Sequence, residues 1–165
     1  MNIGKEFLTS AVKRFREYKA LGDKTFAQLQ EEDFFFQPND ASNSIAVTIQ
    51  HLHGNMLSRW TNFLTEDGEK PWRKRDDEFE NFSFTKEQLL EKWGVGWNVF
   101  LTTLESLEEN DLLKTVTIRN QPILVIDAIN RQLAHYSYHV GQIVYLGKWR
   151  KGGAWETLSI PRKLL

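Results

Sequence analysis

Residues 124–149 read LVIDAINRQLAHYSYHVGQIVYLGKW, and this stretch decides the fold. Its apolar residues recur at helical spacing, with Ile129, Leu133, Tyr136, Val140 and Ile143 on one arc. With His135 as zero and about 100° per residue, that arc centres near +120°. Asp127, Asn130, Arg131, Ser137 and Lys148 fall on the other side, between about −160° and −40°. A helix patterned this way buries its apolar face against other helices. His135 and His139, at about 0° and +40°, lie on the flank between the arcs, with Ala128, Gln132, Gln142 and Leu146. Imidazoles four residues apart on a helix are neighbours and can point at one ion. On a flank they would do so at a groove or bundle mouth, within reach of a small molecule.

Three more helical patterns precede this one. The first runs from about Lys5 to Leu29, carried by Phe7, Leu8, Ala11, Val12, Phe15 and Tyr18, with Gly22 a point of kinking or division. Pro38 closes that segment, because the residues before a proline avoid helical geometry. The second starts at Asn43 or Ser44, either a suitable cap, and runs to about Leu64 with Ile45, Ile49, Leu52, Met56, Trp60 and Phe63 as its stripe. The third opens at Thr85, with Gln88 completing a capping box, and buries Leu89, Leu90, Trp93, Trp97, Phe100, Leu101 and Leu104. Gly94 and Gly96 weaken it locally by about 1 kcal/mol each, which close approach of another helix would explain.

Between the second and third helices, Thr65 to Phe84 is polar and reads as a long loop, a length often tied to function. Thr115-Val116-Thr117-Ile118 followed by a turn at Arg119 to Pro122 predicts a short β-hairpin before the last helix. The tail, from Trp155 on, is expected to be ordered in part by Trp155, Leu158 and Ile160. The expected architecture is all-α: an antiparallel four-helix bundle as one domain over 1–165, with the long loop allowing a crossover.

Composition narrows the function. The 165 residues carry 21 basic and 22 acidic side chains, so no global field draws the chain to nucleic acid or anionic lipid. With 41% hydrophobic residues and six tryptophans, a chain of this size can bury roughly 70% of its unfolded surface. It has no cysteine, which removes disulfides, thiolate ligands and a cysteine nucleophile. No apolar run nears the roughly 20 residues of a membrane span, and residues 1–6 lack a signal-peptide core. A soluble, cytoplasmic protein is expected.

Without cysteine, the four histidines carry nearly all the soft-donor capacity. His51 and His53 are two apart on the second helix, so only one can join His135 and His139. His53 lies nearer the apolar centre, whereas Val47, Asn55 and Ser58 would give His51 a small polar wall; periodicity leaves both open. A zinc protease sets glutamate directly after its first histidine as general base. Here Tyr136 stands there, and no carboxylate on the fourth helix shares the histidine flank. Three neutral imidazoles would leave a bound ion its full charge and open positions, able to acidify water or a thiol. Zn²⁺, Ni²⁺, Fe²⁺ and Mn²⁺ all suit three nitrogens. Asn55, Tyr136, Tyr138 and Gln142 are candidates to orient substrate or ligands. The basic cluster Lys70 to Arg75 is followed by Asp76, Asp77 and Glu78, which reads as a solvated loop or as a lid whose arginines meet an anion.

Ser44-Ile45 with His51-Leu52, and His135-Tyr136-Ser137-Tyr138-His139-Val140-Gly141-Gln142-Ile143, resemble the second- and fourth-helix signatures of the DinB/YfiT-like superfamily. The ending Trp155 to Arg162 resembles that of an uncharacterised bacterial sub-family within it. The resemblance implies a four-helix bundle with a divalent metal on three histidines, which by register are His51, His135 and His139. It also implies frequent homodimers and thiol-dependent transfer with a low-molecular-weight thiol. The expected function is therefore a metal-dependent enzyme on a small molecule, a thiol S-transferase or a hydrolase. The rival from another class is a non-catalytic, metal-stabilised dimeric or stress-response interaction module. Neither a nucleic acid nor a membrane is an expected partner.

Overall fold

The first three long helices begin where a side chain can satisfy their free amides. Asn2 caps α1 (Ile3–Phe26), Ser44 caps α2 (Ile45–Trp60), and Thr85 with Gln88 forms the capping box of α3 (Lys86–Ser106). A two-stranded antiparallel hairpin, β1 (Thr115–Ile118) and β2 (Gln121–Leu124), leads straight into α4 (Val125–Lys151). Its turn residues Arg119 and Asn120 both have positive φ, 56° and 58°, the conformation of a tight hairpin turn. The structure, a computed structural model, describes residues 2–80 and 83–161. The last residues of the expected tail, Arg162 among them, and part of the long loop at 81–82 lie outside that set.

The contacts fix the wiring. Along α1 and α4, Phe15 meets Tyr136 and Thr25 lies against Gly147, so these two helices run parallel. Along α2 and α3, His53 sits beside Gly96 and the Trp60 carbonyl accepts from Thr103, so these are parallel as well. Gly22 against Trp93 and Arg16 paired with Glu105 make α1 and α3 antiparallel. The order is up, down, down, up. Simple alternation is thus replaced by the crossover that the long loop allowed: residues 61–85 must climb back along α2, which at 16 residues is about 24 Å long.

One aromatic cluster lies where the four helices meet. Phe15, Trp60, Trp97, Phe100 and Tyr136 are fully buried or nearly so and pack edge-to-face. Tyr136 is held by polar contacts too: Trp60 Nε1 donates to its hydroxyl at 3.1 Å, and the hydroxyl donates to Asn55 Oδ1 at 3.0 Å. These bonds join α2 to α4 beside the histidines.

The glycines divide. At Gly96 a Cβ would stand 3.2 Å from the His53 Cα, the close helix approach expected; Gly94 faces open space. Gly22 does not divide α1, which is continuous; it leaves room for Trp93, whose ring would lie 2.4 Å from an added Cβ. The tail is docked by Trp155 against Gly147 and by Glu156 bonded through its backbone to Gln28, while Ile160 is 91% exposed and orders nothing. Among the described residues no helix is long and apolar enough to cross a membrane.

The long loop is laced down instead of solvated. Ser58 Oγ donates to the Gly68 carbonyl at 2.7 Å, and Gly68 N–H donates to Thr117 of β1 at 2.8 Å. Asp67 accepts from the backbone amides of Arg119 and Asn120, closing the loop over the hairpin turn. Burial alone would raise the Asp67 carboxyl, but amide donors from Glu69, Asn120 and Arg119 outweigh it and hold it down at about 2.

Two outcomes follow. Gly22→Ala lowers stability by about 1–2 kcal/mol despite alanine's better helix propensity, because Trp93 must shift; urea unfolding reads this, and a stabilised variant would contradict it. A carboxyl depressed by folding stabilises above its ordinary value near 4 and loses that contribution as pH falls toward about 2. Acid unfolding of Asp67→Asn should therefore be shallower than wild type across that window, and identical slopes would exclude the role.

Candidate metal centre

The local helical geometry brings His135 and His139 together, and the antiparallel packing of α2 on α4 brings His51 to them. One ligand nitrogen from each histidine lies within 4.8 Å of the others, so the three could hold a metal ion. His51 Nε2 and His135 Nε2 are 3.2 Å apart. Two nitrogens each about 2.05 Å from a tetrahedral ion stand about 3.3 Å apart, so the spacing is that of a shared cation.

The other ring nitrogens decide what faces inward. His51 Nδ1 donates to Glu78 Oε2 at 3.0 Å, His135 Nδ1 to Gln132 Oε1 at 3.2 Å, and His139 Nδ1 to Gln142 Oε1 at 2.9 Å. A carboxylate or amide oxygen accepts, so each Nδ1 carries a proton, and a neutral ring so held presents the Nε2 lone pair inward. Burial first, then the adjacent imidazoles, Arg131 and Arg73, push His135 down to about 3. Burial and then His51 push His139 down to about 4. At neutral pH these two rings stay uncharged. A positive charge shared among the three Nε2 atoms would favour this spacing, and a metal ion is one such charge that the three could hold.

His53 faces away. It is half-buried on the side of α2 that packs on α3, and burial followed by Lys92 lowers it to about 4. Periodicity left the choice between His51 and His53 open and the family resemblance named His51; the packing brings His51 to the pair. Of the expected orienting residues, Gln142 bonds a candidate ligand directly. Asn55 lines the cavity beside the histidines and anchors Tyr136. Tyr136 is completely buried, its hydroxyl is engaged on both sides, and burial raises its pKa, so it fastens the two helices and does not reach the cavity. Tyr138, half-exposed, stacks at 4.3 Å from His139 on the cavity wall.

Glu78 was missed by the sequence reading, which searched the helices for a carboxylate. It comes from a 3-10 turn (Asp76–Phe79) in the long loop, and its carboxylate is shared between His51 and Arg73, whose Nε lies 2.7 Å away. Burial works to raise its pKa, but the bonds from His51 and Arg73 prevail and lower it, so it remains an anion. Gly54 makes space for it: a Cβ there would stand 2.1 Å from Glu78 Oε1. Phe79 from the same turn covers the His51 ring at 5.1 Å. The signal in sequence was the acidic run closing the basic cluster, but only the folded loop shows which carboxylate turns inward.

A cavity of about 600 Å³ opens beside the three histidines, a size suited to a small-molecule substrate. No aspartate or glutamate is among the described residues lining it. Over residues 2–164 the chain matches a DinB/YfiT-like family described as a protein of unknown function (DUF1572). The chain belongs to this family. No curated protein matches it. The all-α bundle is the fold that the DinB/YfiT-like resemblance implied, and the short hairpin is the one read from Thr115 to Pro122.

Outer partners that fix a ligand histidine typically contribute 10–100-fold to metal affinity. Glu78→Gln keeps the shape but loses the anion, and should weaken metal retention about tenfold in competition with a chelator, with the helical content unchanged. Retention equal to wild type would remove Glu78 from the centre.

Proposed function

We propose that the protein is a metal-dependent enzyme acting on a small molecule, with His51, His135 and His139 as the ligands of one divalent ion. The observation that carries this is the convergence of three ring nitrogens, each ring held by a bond from its Nδ1, beside an open cavity. Zn²⁺, Ni²⁺, Fe²⁺ and Mn²⁺ match an all-nitrogen donor set. Such an ion supplies Lewis acidity, favouring the deprotonated form of a thiol or of water near neutral pH. The reaction we favour is thiol-dependent S-transfer with a low-molecular-weight thiol; metal-dependent hydrolysis is the close alternative.

The chain's own residues do the rest. Glu78, Gln132 and Gln142 hold the rings in one tautomer and orientation, so nothing must reorganise when the ion binds. Tyr138 and Phe79 wall the cavity with aromatic surface and limit water around the histidines. Asn55, fixed by Tyr136, is placed to position substrate with its side-chain amide. With no carboxylate on the wall, the lining residues include no strong general base, which suits a substrate that ionises readily, as a thiol does.

The rival reading, a non-catalytic metal-stabilised module, is disfavoured by the open cavity, since structural sites are typically closed by a fourth protein ligand. We also propose a homodimer in the cytoplasm. Tyr138, Tyr145 and Trp149 leave an aromatic stripe along the outside of α4, exposed by 53%, 64% and 54%.

Elemental analysis of purified protein should find about one divalent metal per chain. His135→Ala and His139→Ala should each lose it, with helical circular dichroism retained. Full occupancy in either variant rejects the ligand assignment. A conjugation screen pairing low-molecular-weight thiols with electrophiles should show turnover that these substitutions remove; metal-dependent ester or amide hydrolysis without thiol turnover would favour the hydrolase. Light scattering of the same sample should give twice the chain mass, and a monomer would end the dimer reading.

A further inference from the structure

The cavity beside the histidines is built from arginine. Arg59 from α2, Arg73 and Arg75 from the long loop, Arg119 from the hairpin turn and Arg131 from α4 all line it. They come from four separate segments, so helical periodicity on one element cannot account for their meeting. Arg59 and Arg73 are deeply set, with side chains 5% and 2% exposed. The described lining has no carboxylate of its own.

The anions behind the wall are too few for these cations. Glu69 is shared by Arg59 at 3.0 Å, Arg119 at 3.0 Å and Arg73 at 3.9 Å. Glu78 is shared between Arg73 and His51. Among the described residues Arg75 pairs only with Asp76, itself 97% exposed, where water screens the pair, and its guanidinium also lies 5.0 Å from the Phe79 ring centre. Arg131, one turn before His135, makes no hydrogen bond or ion pair among the described residues. Five guanidiniums thus face three carboxylates, and a divalent ion on the histidines would widen the surplus. Gathering like charges in a cavity costs free energy that a ligand of opposite sign offsets.

We propose that this wall is an oxyanion site, so that the substrate carries a carboxylate or phosphate group alongside the part that meets the histidines. It rests on reading the histidine cluster as the substrate's metal-bearing site. Guanidiniums present planar, paired N–H donors that match the two oxygens of such groups, and their charge persists at any working pH. Arg131 and Arg75 are the direct contacts, being the least satisfied within the protein. Arg59, Arg73 and Arg119, held through Glu69 and Glu78, supply the field behind them. The charged run in the loop, cancelled on paper by Asp76, Asp77 and Glu78, therefore presents its arginines inward and its surplus acids outward.

The test is calorimetric titration of the whole protein with succinate, with inorganic phosphate and, as a neutral control, with succinamide. Succinate or phosphate should bind and succinamide should not; the tighter of the two anions names the group. Arg131→Gln combined with Arg75→Gln should weaken that binding at least tenfold without changing metal content or circular dichroism. Both residues are exposed, so the fold should tolerate their loss. The metal-free His139→Ala variant should still bind the anion. Absence of binding to wild type, binding undiminished in the arginine variant, or binding present in wild type but lost in His139→Ala each overturns the proposal, the last because the metal alone would then hold the anion. Anion binding in a wild-type protein that proves metal-free would uphold the arginine site while the metal reading fell.

Discussion

Three imidazole nitrogens from two helices are held close enough to share one positive charge. That constraint organises much of the molecule. Each ring is fixed from behind by an acceptor on a different part of the chain, or at a different position on α4: Glu78 for His51, Gln132 for His135, Gln142 for His139. The symmetry on α4 is simple, since a glutamine three residues before the first histidine and another three after the second lie on the same helical face. On α2 the same task falls to a loop carboxylate, for which Gly54 leaves the room.

Holding α2 and α4 at the required separation is the work of the aromatic cluster. Tyr136 lies between the two candidate ligands on α4 and points the other way, into the core, where Trp60 and Asn55 bond its hydroxyl. Packing and site are thus two faces of one helical turn. Buried, edge-to-face aromatic rings resist small displacements because close-packed interiors have few alternative arrangements. The ring positions across the α2–α4 contact inherit that stiffness.

The crossover has a functional consequence. Because α2 and α3 run parallel, a long segment must return along the bundle, and its route lies past the mouth of the histidine site. That route delivers Arg73, Arg75 and Phe79 to the cavity wall and Glu78 to His51 and Arg73 behind it. Asp67, Gly68 and Ser58 fasten it to the hairpin and to α2, so these side chains arrive on a tethered segment. The electrostatics of the cavity are therefore set mainly by the connection, while the helices set the metal geometry.

From the sequence alone came the four helices, the caps of the second and third, the hairpin and the pairing of His135 with His139. All of these depend on interactions within a few residues: hydrophobic period, side-chain capping, turn chemistry and the four-residue repeat of a helix surface. Position on the flank of α4, half-way between the apolar and charged arcs, also followed from spacing. Periodicity left His51 and His53 open and only the family resemblance favoured His51; the tertiary structure brought His51 to the pair, turned Glu78 inward, and gathered arginines from four segments around one cavity. Those features join residues 27 to 84 positions apart, and no local period encodes which faces of distant elements will meet. A helical wheel can say where a side chain points from its own axis, but the packing of the core decides what it points at.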